Sequence, residues 1–381
     1  MHPEERFNAL AGLSLDLSPY RAWCGGCTAE ALAAAPLYGL FGPTVLTWKA
    51  VPAALHLAAA AGGAAYAWRR SPWASVVWLL LLLAAPPAFR ELSVTGWGNH
   101  VDSLAFPLVA AALIRWDRPY AAGLVAGLGW WFCTTTLLAV PGLLLLDRRW
   151  LVTAPVGAVP MLFNGWAPPS SPLALADVGA WIQWLGGSFA TSGWWFQGPH
   201  IAASAWALGL VALALASRDR LALATVVAFA AMTLCHPGLW AENREDWALR
   251  AFELRYRAVP LASLLLGASL SRYRGLALLV LPMGLGLRMQ SWGAPTAALG
   301  LRIDAEVPEL NTCEQQGFGF VEGITGWGTR PADDLPYEPT CHGYDVGAAW
   351  GWALHVGCDG SFPGASIAME QPCESLRGRD L

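Results

Sequence analysis

Long apolar runs, broken at short intervals by paired arginines, glycines and prolines, succeed one another from residue 44 to residue 290. They fall at 44–67, 73–89, 103–114, 120–136, 137–146, 150–164, 200–217, 221–238, 254–270 and 275–290. A helix needs about 17–25 apolar residues to cross roughly 30 Å of hydrocarbon. Segments 103–114 and 137–146 fall short of that and read as half-helices, re-entrant pieces or parts of kinked spans. Irregular backbone at membrane depth is tolerated only where protein or water covers it. The pattern predicts an all-α polytopic membrane protein with about 8–10 transmembrane or re-entrant helices. Three regions follow: an outer N-terminal segment 1–43, a multi-span domain 44–290 and a tail 291–381.

The polar breaks set the orientation. Arg69-Arg70, Arg115 with Arg118, Arg148-Arg149, Arg218 with Arg220, and Arg272 with Arg274 occupy tight loops. If each run crosses once, all five fall on one side, and short arginine-rich loops stay cytoplasmic. The other side receives 1–43, 90–102, 165–199, 239–253 and the tail. It also carries Arg90, Arg244 and Arg250, so the orientation rests on the agreement among the short loops. The expected location is a bacterial inner membrane, with the tail periplasmic.

Composition agrees with this pattern. Of 381 residues, 55% are hydrophobic and 13% charged, with a mean hydropathy of +0.42, whereas soluble domains carry about 25% charge. The net charge of −4 argues against a nucleic-acid partner, which calls for a basic face. The only lysine is Lys49. Residues 1–28 are polar and interrupted, unlike a cleavable signal peptide.

Cysteine placement gives a second indication of sidedness. Cys24, Cys27, Cys313, Cys341, Cys358 and Cys373 lie in the expected outer segments, and only Cys133 and Cys235 lie in spans. Disulfides persist in oxidising compartments, so the six are disulfide candidates whose pairing the sequence does not reveal. Cys24-Gly-Gly-Cys27 also reads as half a zinc site or a redox pair, but no second C-x-x-C exists, and no metal site is assigned. The tail is rich in Gly, Pro and Trp and has no spanning run. It echoes itself loosely at Gly319-Phe320-x-x-Gly323 with Trp327-Gly328, and at Gly343-Tyr344-x-x-Gly347 with Trp350-Gly351. It reads as a small disulfide-stapled outer domain.

Four clusters carry candidate chemistry. The first is His2-Pro3-Glu4-Glu5-Arg6-Phe7, where paired acids at a membrane edge suggest function and an ordinary solvated terminus is the competing reading. The second is Asn99-His100-Val101-Asp102, which suits a divalent ion, a base with its orienting partner, or a phosphate-bearing head group. The same residues suit a helix cap. The third is loop 165–199 with Asp177, Trp181, Trp184, Trp194, Trp195 and then His200. It reads as an interfacial aromatic belt or as a stacking site for sugar or polyprenyl. The fourth is His236-Pro237, Glu242-Asn243-Arg244-Glu245-Asp246, Arg250, Arg255, Tyr256 and Arg257. Arginine suits bidentate phosphate contacts, and pairing with Glu245, Asp246 and Glu253 is the alternative. No nucleotide-binding motif occurs, and no cofactor is identified beyond a conceivable divalent ion.

Together these features resemble the GT-C superfamily of membrane glycosyltransferases. His2-Pro3-Glu4-Glu5-Arg6-Phe7 is similar to the His-Pro-Asp-Glu motif of the mannosyltransferase branch, with Glu4 where that family has Asp. Ala29-Glu30-Ala31-Leu32 through Pro36-Leu37-Tyr38-Gly39-Leu40-Phe41-Gly42 resembles the family's amphipathic segment, and Arg255-Tyr256-Arg257-Ala258-Val259-Pro260 resembles its late Arg-Tyr element. The resemblance covers residues 2–290. It implies sugar transfer from a polyprenyl-phosphate donor to an outer acceptor, with Glu4 or Glu5 as general base. It also implies His100 and Asp102 near the donor phosphate, which Arg244, Arg255 and Arg257 would bind. The motif begins at residue 2, so an upstream helix matching the family's first span is expected. The other readings are a transporter or flippase of a lipid-linked substrate, which no internal repeat supports, and a non-catalytic assembly or receptor protein.

Overall fold

The structure is a computed structural model describing residues 8–9, 11–13, 15, 25–85, 89, 96, 101–164, 175–179, 181, 200–235 and 258–280. Among the described residues every regular element is helical: α1 Gly25–Phe41, α2 Val45–Trp68, α3 Pro72–Leu83, α4 Ala105–Arg115, α5 Pro119–Phe132, α6 Val140–Leu146, α7 Ala154–Gly157, α8 Met161–Asn164, α9 His200–Ser217, α10 Arg220–Cys235, α11 Ala258–Leu270 and α12 Arg274–Ala277. Short 3₁₀ turns precede α4, α6 and α7, and another follows α12. The all-α expectation therefore holds for these residues.

Helix boundaries follow local chemistry. Pro72, Pro119 and Pro141 stand in the first turns of α3, α5 and α6, where a missing N–H is harmless. The sequence pattern joins 120–136 and separates it from 137–146, but the break falls earlier, at Cys133. There Thr136 Oγ1 donates to the Cys133 carbonyl at 2.8 Å and Cys133 Sγ lies 3.0 Å from Thr135 Oγ1. Such local side-chain bonds compete with the helix ladder, so residues 134–139 form a 3₁₀ turn. The run 150–164 is likewise not one span. It divides into a 3₁₀ turn over Arg148–Val152 and the one-turn helices α7 and α8, with Pro155 and Pro160 in the sequence that interrupts it.

α11 is the hub. All thirteen of its residues are buried, and it packs against α9, α10 and α3. Elsewhere helices close on one another through glycine. A Cβ at Gly62 of α2 would strike the Leu108–Val109 backbone of α4, one at Gly127 of α5 the Ala154 carbonyl, and one at Gly267 the Ala214 side chain of α9. Small residues at crossings let backbones approach until dispersion contacts accumulate.

One end of the bundle is held by charge. Tyr66 at the end of α2 donates to both Asp219 carboxylate oxygens, at 3.2 and 2.9 Å. Arg115 at the end of α4 donates to Tyr66 Oη at 2.9 Å and to Asp219 at 3.0 Å, with its guanidinium 4.0 Å over the Tyr66 ring. Asp219 also accepts from the Ala222 N–H at 3.1 Å, which satisfies an orphan donor at the start of α10. Neighbouring turns join the same end. Arg69 donates to the Arg115 carbonyl and stacks over Trp116. Arg149 bridges Asp117 and Asp147, and Arg220 donates to the Leu145 carbonyl. The hydrogen bond from the Arg149 side chain, with that from its backbone N–H, holds the Asp147 carboxyl below the ordinary carboxylate range. Four of the five arginine turns thus touch one another.

Removing one member of a buried ion pair strands its partner. Arg115→Met is expected to destabilise the purified protein by about 3 kcal/mol or more. The exposed Arg118→Gln is expected to change stability by less than about 0.5 kcal/mol. Thermal unfolding of the two variants side by side checks the contrast.

Candidate functional site at the opposite end

α2 is 24 residues long, about 36 Å at 1.5 Å per residue. Its first turns therefore lie far from the Tyr66–Arg115–Asp219 network. α1 crosses this far end of the bundle. At its start, a Cβ on Gly25 would fall on the Trp131 carbonyl at the end of α5. In its middle, Ala29 packs on Phe106, Phe132 and Cys133. Later along it, Ala34 and Tyr38 pack on Trp48 and Val51 of α2 and on Ala9. The spacing of Glu30, Ala31, Ala34 and Tyr38 puts one buried stripe on α1, while Leu32, Leu40 and Phe41 are exposed.

Two carboxylates are buried here: Glu30 is 0% and Asp102 1% exposed. Both flank one aromatic cluster. Glu30 is adjacent to Ala29, and Asp102 is one turn before Phe106, whose ring lies 4.9 Å from that of Phe132. Leu55 packs on the same cluster. Its neighbour His56 meets the Phe89 ring edge-on at 6.3 Å, and its buried Nδ1 finds no hydrogen-bond partner among the described residues. Thr135, Thr136 and Ser103 add buried hydroxyls. Buried ionisable groups are uncommon and are candidates for function as well as for structure. Such groups can take or hold a proton and can orient a polar substrate. Among the described residues no three His, Cys, Asp or Glu side chains gather as a metal site.

The N-terminal segment reaches this end as well. Tyr38 donates to the Ala9 carbonyl at 3.2 Å, Asn8 to the Gly96 carbonyl at 3.5 Å, and Gly96 lies against the Trp48 indole. Asn8 follows Glu4-Glu5 by a few positions, and Gly96 precedes His100 and Asp102. Residues 8 and 96 are therefore tied together. Part of the long loop also rests at this end. Trp181 Nε1 donates to Thr233 at 3.0 Å, and the Ala176 N–H to the Leu234 carbonyl, both near the end of α10.

Of the expected site residues, Asp102 and Cys27 are described. Asp102 lies inside the first turn of its 3₁₀ helix, while Val101 holds the N-cap position without a side-chain bond. Cys27 is disulfide-bonded, and Cys133 and Cys235 are not in disulfides. Glu4, Glu5, His100, Trp194, Trp195, Arg244, Arg255, Tyr256, Arg257, Cys24, Cys313, Cys341, Cys358 and Cys373 lie outside the described residues. Glu30 and His56 were not anticipated as site residues. The available signal was a lone acid in an alanine-rich helix and a lone imidazole in the longest apolar run.

Compared with known proteins, the chain matches no family model, no curated protein and no solved structure.

The position of α1 can be tested by cross-linking. With Ala29→Cys, a short bifunctional thiol reagent is expected to join residue 29 to Cys133. The linked peptide would be found by mass spectrometry, and it should be absent when Cys133→Ser is added.

Proposed function

We propose that the chain is a polytopic membrane protein whose working face lies opposite the arginine turns, and that it transfers a sugar from a polyprenyl-phosphate donor to an acceptor at that face. The observation that carries the reading is the polarity of the bundle. Arginines, with the acids that pair them, gather at one end; two further buried carboxylates, Glu30 and Asp102, belong to elements at the other, and apolar side chains are exposed between. Among the described residues, Val45–Trp68 is long and apolar enough to span a bilayer, and Pro72–Leu83, Thr134–Leu146, Leu208–Ser217, Arg220–Cys235 and Ala258–Leu270 are shorter apolar helices. Leu57, Leu79, Leu124, Leu208 and Val227 stand exposed on five different helices, a spread of outward apolar side chains that lipid would cover. Trp68, Trp73, Trp116, Tyr120 and Tyr273 are exposed beside the arginine turns, as in a headgroup-level aromatic belt.

The reaction class comes from the resemblance of the acidic N-terminal motif to the GT-C enzymes. In such a transfer the acceptor hydroxyl attacks the anomeric carbon, and the bond from that carbon to the phosphate oxygen breaks. Polyprenyl phosphate leaves, and a carboxylate takes the hydroxyl proton. Glu4 or Glu5 is the assigned base. His100 and Asp102 belong beside the donor phosphate, which Arg244, Arg255 and Arg257 would hold. The ties from Asn8 to Gly96 and from Tyr38 to Ala9 support bringing these stretches to one end.

The double variant Glu4→Gln/Glu5→Gln is expected to lower transfer from a polyprenyl-phosphate mannose probe by about 10²–10⁴-fold, at unchanged membrane abundance. Undiminished transfer would remove both residues as the base.

A further inference from the structure

The arginines at the charged end divide into two groups. On each of four touching turns, one is built into the scaffold: Arg69 over Trp116, Arg115 on Asp219, Arg149 between Asp117 and Asp147, and Arg220 on the Leu145 carbonyl. The second arginine of each turn is exposed: Arg70, Arg118, Arg148 and Arg218. None of these four side chains makes an ion pair or a hydrogen bond among the described residues. The three acids of these turns, Asp117, Asp147 and Asp219, are taken up by Arg149 and Arg115. Positive charge therefore remains uncompensated on turns held in contact. Trp68, Trp73, Trp116 and Tyr120 are exposed at the same level, which fixes the depth of these guanidiniums at the headgroup layer.

We infer that Arg70, Arg118, Arg148 and Arg218 form a docking surface for the phosphates of anionic phospholipids in the inner leaflet. Guanidinium forks match phosphate oxygens bidentately, and juxtamembrane arginines are drawn to anionic headgroups. The fixed arginines space the turns, and the outward ones present donors to lipid. The inference rests on the membrane reading above but concerns the end opposite the transfer site.

The test is thermal unfolding of the carbonate-washed, detergent-purified protein with phosphatidylglycerol, phosphatidylcholine or inorganic phosphate added. Phosphatidylglycerol is expected to raise the Tm by about 5 °C near saturation, and the other two to leave it unchanged. Arg70→Gln/Arg118→Gln/Arg148→Gln is expected to lose most of that shift, with a lipid-free Tm within about 2 °C of the parent. If this variant does not assemble, the comparison of the three additives on the parent protein decides. Equal shifts with both lipids, an equal shift with free phosphate, or a full shift in the triple variant would overturn the lipid surface. Release of the protein from membranes by alkaline carbonate would instead overturn the membrane reading.

Discussion

Asp219 is the point on which the described bundle is organised. Its carboxylate receives Tyr66 from α2, Arg115 from α4 and the opening N–H of α10 at once. A buried carboxylate is tolerated only when its lone pairs are filled and its charge is answered; here Arg115 and Tyr66, more than a hundred positions away, and the neighbouring Ala222 N–H meet both conditions. Ending α2 and α4 at the same level as the α9–α10 turn aligns their axes. The glycine crossings at Gly62 and Gly267 then close the gaps between helices. With α2 and α4 level at one end, Leu55 and Phe106 come to the same cluster at the other.

Charge is thereby sorted between two ends about 36 Å apart along α2. The arginine end consists of short turns that hold one another. The opposite end is crossed by α1, carries the buried Glu30 and Asp102 on α1 and just before α4, and is met by Asn8, Ala9 and Gly96. The proposed transfer of a lipid-linked sugar would take place at the end away from the ion-paired turns.

The helical character and the grouping of the arginine turns were legible in the sequence, because both depend on repetition: apolar runs of similar length and a polar break after each. What was not legible depends on single residues. The break at Cys133 comes from Thr135 and Thr136 bonding locally, and no periodicity announces it. The division of 150–164 was signalled by Pro155 and Pro160 but outweighed by the apolar composition around them. Asp219 stands between two arginines and carries no pattern of its own, since its partners Tyr66 and Arg115 are remote. Glu30 was noted only as part of an amphipathic segment. Its burial depends on α1 lying across α5 and α2, a tertiary fact. Of the expected site residues, Asp102 opens α4 at the end opposite Arg115, and its role is a matter for experiment.

The most direct measurement is the sidedness of the two ends in intact cells. Gly39→Cys, on the exposed side of α1 where nothing lies within 4 Å of the added Cβ, and Arg148→Cys, on an arginine turn, would each be treated with a membrane-impermeant thiol reagent. Labelling at residue 39 in intact cells, with labelling at residue 148 only after the inner membrane is opened, is the expected result. Labelling of residue 148 in intact cells, with residue 39 protected until the membrane is opened, would contradict the account.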